Sequence, residues 1–282
     1  MRIARLEHEG SSEFAVSAGE GGWVPVSQLG LDYPDTAALI RDHETVRAAV
    51  EQFAGQTVSA VDDRLLSPIV RPGKILAVGL NYASHARETG ATPPERPLIF
   101  AKYTSSLNGP FGDVAIGRQV TEQADYEVEL GVVIGKTAKG VTEEAALDHV
   151  FGYVVANDVS ARDWQRSDGQ FSRSKSADTF CPVGPWITTA DEVADPEALE
   201  LRSRVNGEDR QSGSTADMIF DVPTLIAYLS ATITLEPGDL ILTGTPPGVG
   251  LGFAPPRFLQ PGDVVECSIE GLGSIRNRFI DA

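Results

Sequence analysis

The run Asp125-Tyr126-Glu127-Val128-Glu129-Leu130-Gly131-Val132-Val133-Ile134 constrains this chain more than any other stretch. Its alternation predicts a β-strand on which Glu127 and Glu129 share one face while Val128, Leu130, Val132 and Ile134 share the other. Two neighbouring carboxylates repel, and burying either one unpaired is costly, so the pair makes physical sense with a cation between them. The same spacing also fits an exposed strand face carrying solvated glutamates, and the flanking residues have to discriminate.

A third acid comes from further along. Phe151-Gly152-Tyr153-Val154-Val155-Ala156 reads as a buried strand that delivers Asp158 at its end. Residues 141–150 between the two strands predict a helix, with Thr142 as N-cap and Glu143 and Glu144 in the first turn. Strand, helix, strand returns Asp158 towards the glutamates. Glu127, Glu129 and Asp158, with no Cys or His cluster nearby, form a hard oxygen set suited to Mg²⁺ or Mn²⁺ and less to Zn²⁺.

Composition limits the partners. The chain has 282 residues, 41% of them hydrophobic, enough for a substantial core in one or two domains. A formal net charge of −17 without any Lys/Arg cluster argues against nucleic acid. The N-terminal residues lack the apolar core of a signal peptide, and no window approaches the length of an apolar membrane span. A soluble, cytoplasmic protein with no membrane partner is therefore expected. Cys181 and Cys267 lack metal-site spacing and are expected as buried thiols.

Punctuation divides the chain near residue 70. Residues 35–53 predict a helix, Ser67-Pro68 and Arg71-Pro72-Gly73 interrupt, and residues 74–80 predict the first core strand. A small N-terminal α+β domain over 1–70 and a catalytic domain over 71–282 are expected. The catalytic part reads as β-rich α+β, with a helix over residues 221–233 capped by Asp221 and a hairpin over residues 264–280.

A second chemical cluster follows the first core strand, in Asn81-Tyr82-Ala83-Ser84-His85-Ala86-Arg87-Glu88. On a short helix His85 and Glu88 share a face. A carboxylate that accepts one imidazole N–H fixes the tautomer and makes the other nitrogen a better base, as deprotonation of water requires. A surface histidine beside a surface glutamate is the plain alternative. Gly90 and Pro93-Pro94 place this helix on a segment able to act as a lid. The glycine-rich residues 244–252 lack the Lys-Ser/Thr ending of a phosphate loop and read as a binding loop. Ser172-Arg173-Ser174-Lys175 fits a Ser-x-x-Lys acylation motif, but its companion motifs are absent.

In combination these blocks, with Asn157-Asp158-Val159-Ser160-Ala161-Arg162-Asp163-Trp164-Gln165, Lys175 before Asp178-Thr179-Phe180-Cys181-Pro182, and Thr243-Gly244-Thr245-Pro246-Pro247-Gly248, resemble the fumarylacetoacetate hydrolase family over residues 72–282. The resemblance implies the mixed β-sheet roll of that family's C-terminal domain. It implies that Glu127, Glu129 and Asp158 bind Mg²⁺ or Mn²⁺, that His85 and Glu88 activate a water on a lid helix, and that Lys175 contacts the substrate. The implied reaction is C–C cleavage of a 2,4-dioxo acid, an acylpyruvate or a 2,4-diketo-3-deoxy sugar acid, to pyruvate or a related 2-oxo acid and a carboxylic acid. Thr245 is then placed for the substrate carboxylate and Gln165 and Arg162 for its chain, although an ion pair of Arg162 with Asp163 or another acid fits equally. Where larger members carry a fourth acidic ligand before the histidine, this chain has Asn81, a pattern closer to the bacterial acylpyruvate and sugar-acid branch. That branch also holds oxaloacetate decarboxylases and 2-hydroxyhepta-2,4-diene-1,7-dioate isomerases, so those activities, or a non-catalytic metal and dicarboxylate binder, are the alternatives. The resemblance also implies a homodimer.

Overall fold

The strand Val128–Ile134 is buried along its whole length and pairs antiparallel on both sides, with Val150–Asn157 and with Leu240–Leu242. Its side chains serve two cores, because both faces of the sheet are covered. Val128, Leu130, Val132 and Ile134 enter the larger core, and Val133 enters the smaller one with Val154, Ala156 and Ile187. The computed structural model describes residues 1–8, 11–17, 22–55, 57–59 and 65–282.

Among the described residues this strand lies within a 12-stranded sheet. Its main path runs Val58–Ser59, Gly22–Pro25, Ser11–Ser17, Arg2–His8, Cys181–Thr189, Val150–Asn157, Val128–Ile134, Leu240–Leu242, Ile75–Gly79 and Leu98–Lys102, and off that path Leu65–Leu66 pairs with Arg2–His8 and Leu107–Asn108 with Cys181–Thr189. Leu240–Leu242 and Ile75–Gly79 run parallel, so the sheet is mixed. A five-stranded sheet built from Glu208–Ser214, Glu200–Val205, Val264–Ile269, Gly273–Asp281 and Val114–Ile116 faces it across the larger core, where Leu201, Val265 and Ile275 meet Leu130 and Val155. The β-rich α+β class expected from the sequence is observed, as is the hairpin at residues 264–280. Helix Val222–Thr232 carries the expected cap, Asp221 accepting from Thr224 N at 2.8 Å. Both cysteines are buried and free.

Three local expectations are corrected. Residues 125–134 are not one strand: Ala124–Asp125 pairs with Ser160–Ala161, and Tyr126 and Glu127 lie between it and Val128–Ile134. The ladder is replaced there by Glu127 N donating to the Asn157 side chain at 3.0 Å and Asp158 N donating to Glu127 O at 2.9 Å. Residues 35–53 form two helices, Thr36–Arg41 and His43–Glu51, broken at Asp42, whose carboxylate accepts from Tyr33 Oη at 2.6 Å. Residues 141–150 form only the short helix Glu143–Ala146 and the 3₁₀ turn Leu147–His149, and Thr142 sits at the N-cap without a side-chain cap bond. We keep the division near residue 70 as a proposal about chain organisation; the leading strands extend the central sheet through Arg2–His8 against Cys181–Thr189.

Candidate active site

Two adjacent strands assemble the acidic cluster. The register sets Val128 opposite Asn157, so Glu127 and Asp158 meet at the strand ends while Glu129 projects one residue further in. One carboxylate oxygen from each of Glu127, Glu129 and Asp158 lies within 4.8 Å of the others, and all three residues are buried.

Cations surround the cluster on one side. Lys175 Nζ donates to Glu127 Oε2 at 2.5 Å and to Asp158 Oδ2 at 2.7 Å. Lys102 Nζ donates to Asp158 Oδ1 at 2.6 Å. Arg162 donates to Glu127 Oε1 at 2.6 Å, to Asp125 Oδ2 at 2.8 Å and to Gln165 Oε1 at 3.0 Å. Burial alone would raise the Glu127 pKa, but Lys175 and Arg162 outweigh it and bring it down to about 2. Glu129 goes the other way: burial, then Asp158 and Glu127 beside it, push its carboxyl well above the ordinary range. Its Oε2 accepts from Gly244 N at 2.9 Å, which offsets only part of that cost. A buried three-carboxylate set in which one member resists ionisation fits a hard divalent cation, and Glu127, Glu129 and Asp158 are the residues that would hold it.

The histidine arrives on the short helix Ala83–Glu88. Its ring Nδ1 faces Glu88 Oε2 at 3.3 Å, and the other Glu88 oxygen accepts from Gly248 N at 2.8 Å. The helix start is held from outside: Ser84 donates to Asp217 from both its amide, at 3.0 Å, and its hydroxyl. Asn81, wholly buried, clamps the preceding turn by donating to Phe220 O at 3.0 Å and Thr243 O at 2.7 Å and accepting from Phe220 N at 2.9 Å. Leu80, between this clamp and the core strand, takes a left-handed φ of 55°, a conformation that costs energy for a side chain of this kind.

His85, Lys175 and two members of the acidic cluster, Glu127 and Glu129, share one cavity of about 230 Å³, lined also by Gln165 and Thr245. A larger surface cavity lined by His43, Glu44, Arg47, Lys136, Asp148 and Asp191 also gathers charged groups, but among the described residues the buried three-carboxylate cluster is that of Glu127, Glu129 and Asp158. Thr245 reaches the cavity wall with its hydroxyl engaged, donating to Val128 O at 2.9 Å and accepting from Gln211 Nε2 at 2.7 Å. Arg162 also lines the cavity while bridging Asp125 and Glu127; Asp163 instead accepts from Thr121 Oγ1.

Sequence reasoning missed Lys102, Asp125 and Asp217. For Lys102 a signal exists: in Leu98–Lys102 it shares its face with the buried Phe100, an inward lysine that demands a buried acid. Asp125 and Asp217 carry no comparable local mark.

The family model described as fumarylacetoacetate (FAA) hydrolase, C-terminal, matches residues 74–280. A human mitochondrial oxaloacetate tautomerase is 49% identical over 289 residues, covering 99% of this chain and 92% of that protein. The structure of a maleylpyruvate hydrolase from Sphingobium, solved with manganese(II) and pyruvate, superposes with a TM-score of 0.83 at 34% identity and full coverage of both chains. That of a 2-hydroxyhepta-2,4-diene-1,7-dioate isomerase from Mycobacterium marinum superposes with a TM-score of 0.78 at 37% identity, covering 100% of this chain and 98% of that one.

Proposed function

Because the chain belongs to the fumarylacetoacetate hydrolase family, we propose that it is a divalent-metal-dependent hydrolase of a short 2,4-dioxo acid, yielding pyruvate or a related 2-oxo acid and a carboxylic acid. The observation that carries the reading is His85, paired with Glu88, on the wall of a cavity lined by Glu127 and Glu129, whose carboxylates gather with that of Asp158.

Mg²⁺ or Mn²⁺, when bound by the three carboxylates, supplies Lewis-acid polarisation of the substrate's 2-oxo group. With Nδ1 facing Glu88, His85 is left with Nε2 to take a proton from water. The hydroxide so formed adds to the 4-oxo carbon, the bond from C4 to C3 breaks, and C3 leaves as an enolate that His85 can reprotonate. Lys175 brings positive charge to the side on which that enolate develops. A cavity of about 230 Å³ suits a short acid better than an extended one.

A second reading, keto–enol tautomerisation of oxaloacetate, draws on the human relative. There His85 would shuttle a proton to or from C3 with no water consumed. A non-catalytic binder has no use for an oriented histidine. The test is a Mg²⁺-dependent, pyruvate-coupled assay on acetylpyruvate, fumarylpyruvate, a 2,4-dioxo-3-deoxy sugar acid and oxaloacetate, with wild type and His85→Ala in parallel. Release of pyruvate from a dioxo acid, lost in the variant, supports the hydrolase. Decay of enol-oxaloacetate absorbance without pyruvate supports the tautomerase. A homodimer belongs to the same proposal on the resemblance alone, and light scattering tests it.

A further inference from the structure

The glycine-rich loop does more than close the cavity: it touches Glu88 at two points. Gly248 N donates to Glu88 Oε1 at 2.8 Å. A Cβ placed on Gly252 would lie 2.5 Å from both Cδ and Oε1 of Glu88 and 2.9 Å from Cγ, and its three nearest neighbours are all Glu88 atoms.

The loop itself is pinned. Gly250 N and Leu251 N donate to the wholly buried Asp125 at 2.7 and 3.0 Å, and Tyr126 Oη donates to Gly248 O at 2.9 Å. The loop therefore holds its place, and a side chain at Gly252 would move Glu88. The backbone does not demand glycine there, since Gly252 is not among the residues of positive φ.

We infer that Gly252 is a positioning residue: its missing side chain leaves the space in which the Glu88 carboxylate seats on Gly248 N–H and aims at His85 Nδ1. The inference rests on reading His85 and Glu88 as the acid–base pair. Gly252→Ala keeps every polar group of the site and displaces only the flexible end of Glu88.

The experiment is a double-mutant cycle on the metal-loaded enzyme, with turnover, calorimetric Mg²⁺ affinity and melting temperature read for each variant. Gly252→Ala should lower kcat on the order of ten- to a hundredfold, with KM, Mg²⁺ affinity and melting temperature unchanged. In a Glu88→Ala background the same substitution should cost nothing further, since no carboxylate remains to displace. Glu88→Asp, which shortens the side chain, should recover turnover in the Gly252→Ala protein while impairing the wild type. That rescue is also read if Gly252→Ala alone folds poorly.

Wild-type kcat in Gly252→Ala, or an equal loss with and without the Glu88 carboxylate, overturns the inference and leaves the acid–base reading standing. Wild-type turnover in Glu88→Ala overturns both.

Discussion

Lys102 Nζ donates to Asp158 Oδ1 across 2.6 Å, and neither side chain is reached by solvent. The same ammonium donates to Phe180 O at 3.1 Å and to the Lys175 carbonyl, so one buried cation orients the acid that completes the cluster and ties down the chain that carries Lys175. An exposed ion pair would matter little here. A buried one holds two charges that each become costly when the other is removed.

Lys102→Met should therefore destabilise the metal-free protein by about 3 kcal/mol, the low end for a broken buried pair because Lys175 still faces Asp158. Urea unfolding measures it. A variant as stable as the wild type would show that the pair contributes no net stability.

Asn81→Asp tests whether an acid at this position could serve the cluster. The amide donates to two carbonyls, and an aspartate would aim a buried acceptor at both. We expect a loss of about 2 kcal/mol or more in stability and no gain in Mg²⁺ affinity. Tighter Mg²⁺ binding in calorimetry would mean that the side chain turns inward.

Glu129 adds its own pH dependence to the stability of the metal-free protein. Burial, then Asp158 and Glu127, raise its folded-state pKa above the ordinary 4.5, so the folded state holds the proton more tightly than the unfolded chain. Its contribution is fully present below the unfolded value and is lost as pH rises through the raised one. Glu129→Gln cannot ionise, so its stability margin over the wild type should widen in chelator as pH rises above the ordinary carboxyl value of 4.5. Parallel stability curves for the two proteins would remove Glu129 as the source.

Asp217→Ala should loosen the helix that carries His85. The carboxylate caps it by accepting from Ser84, and loss of such a cap costs about 1 kcal/mol. Turnover should fall while Mg²⁺ affinity holds, because no part of the acidic cluster touches Asp217. Unchanged turnover would mean that the Asn81 clamp alone positions the helix.

Local pattern determined a good deal. Alternation placed Glu129 opposite Val128 and Leu130, the strand–helix–strand return brought Asp158 back, and a spacing of three put His85 and Glu88 on one helical face. These relations depend on backbone periods of two and 3.6 residues, which the sequence displays directly. The break at Tyr126 and Glu127 was not legible, because the Asn157 side chain, thirty positions away, takes the ladder's place. Nor were Lys102 on Asp158, Asp125 beneath the glycine loop, Asp217 on Ser84, or the void at Gly252 that Glu88 fills. Each joins residues from distant elements, and only packing two sheets around common cores decides which buried donor meets which acceptor.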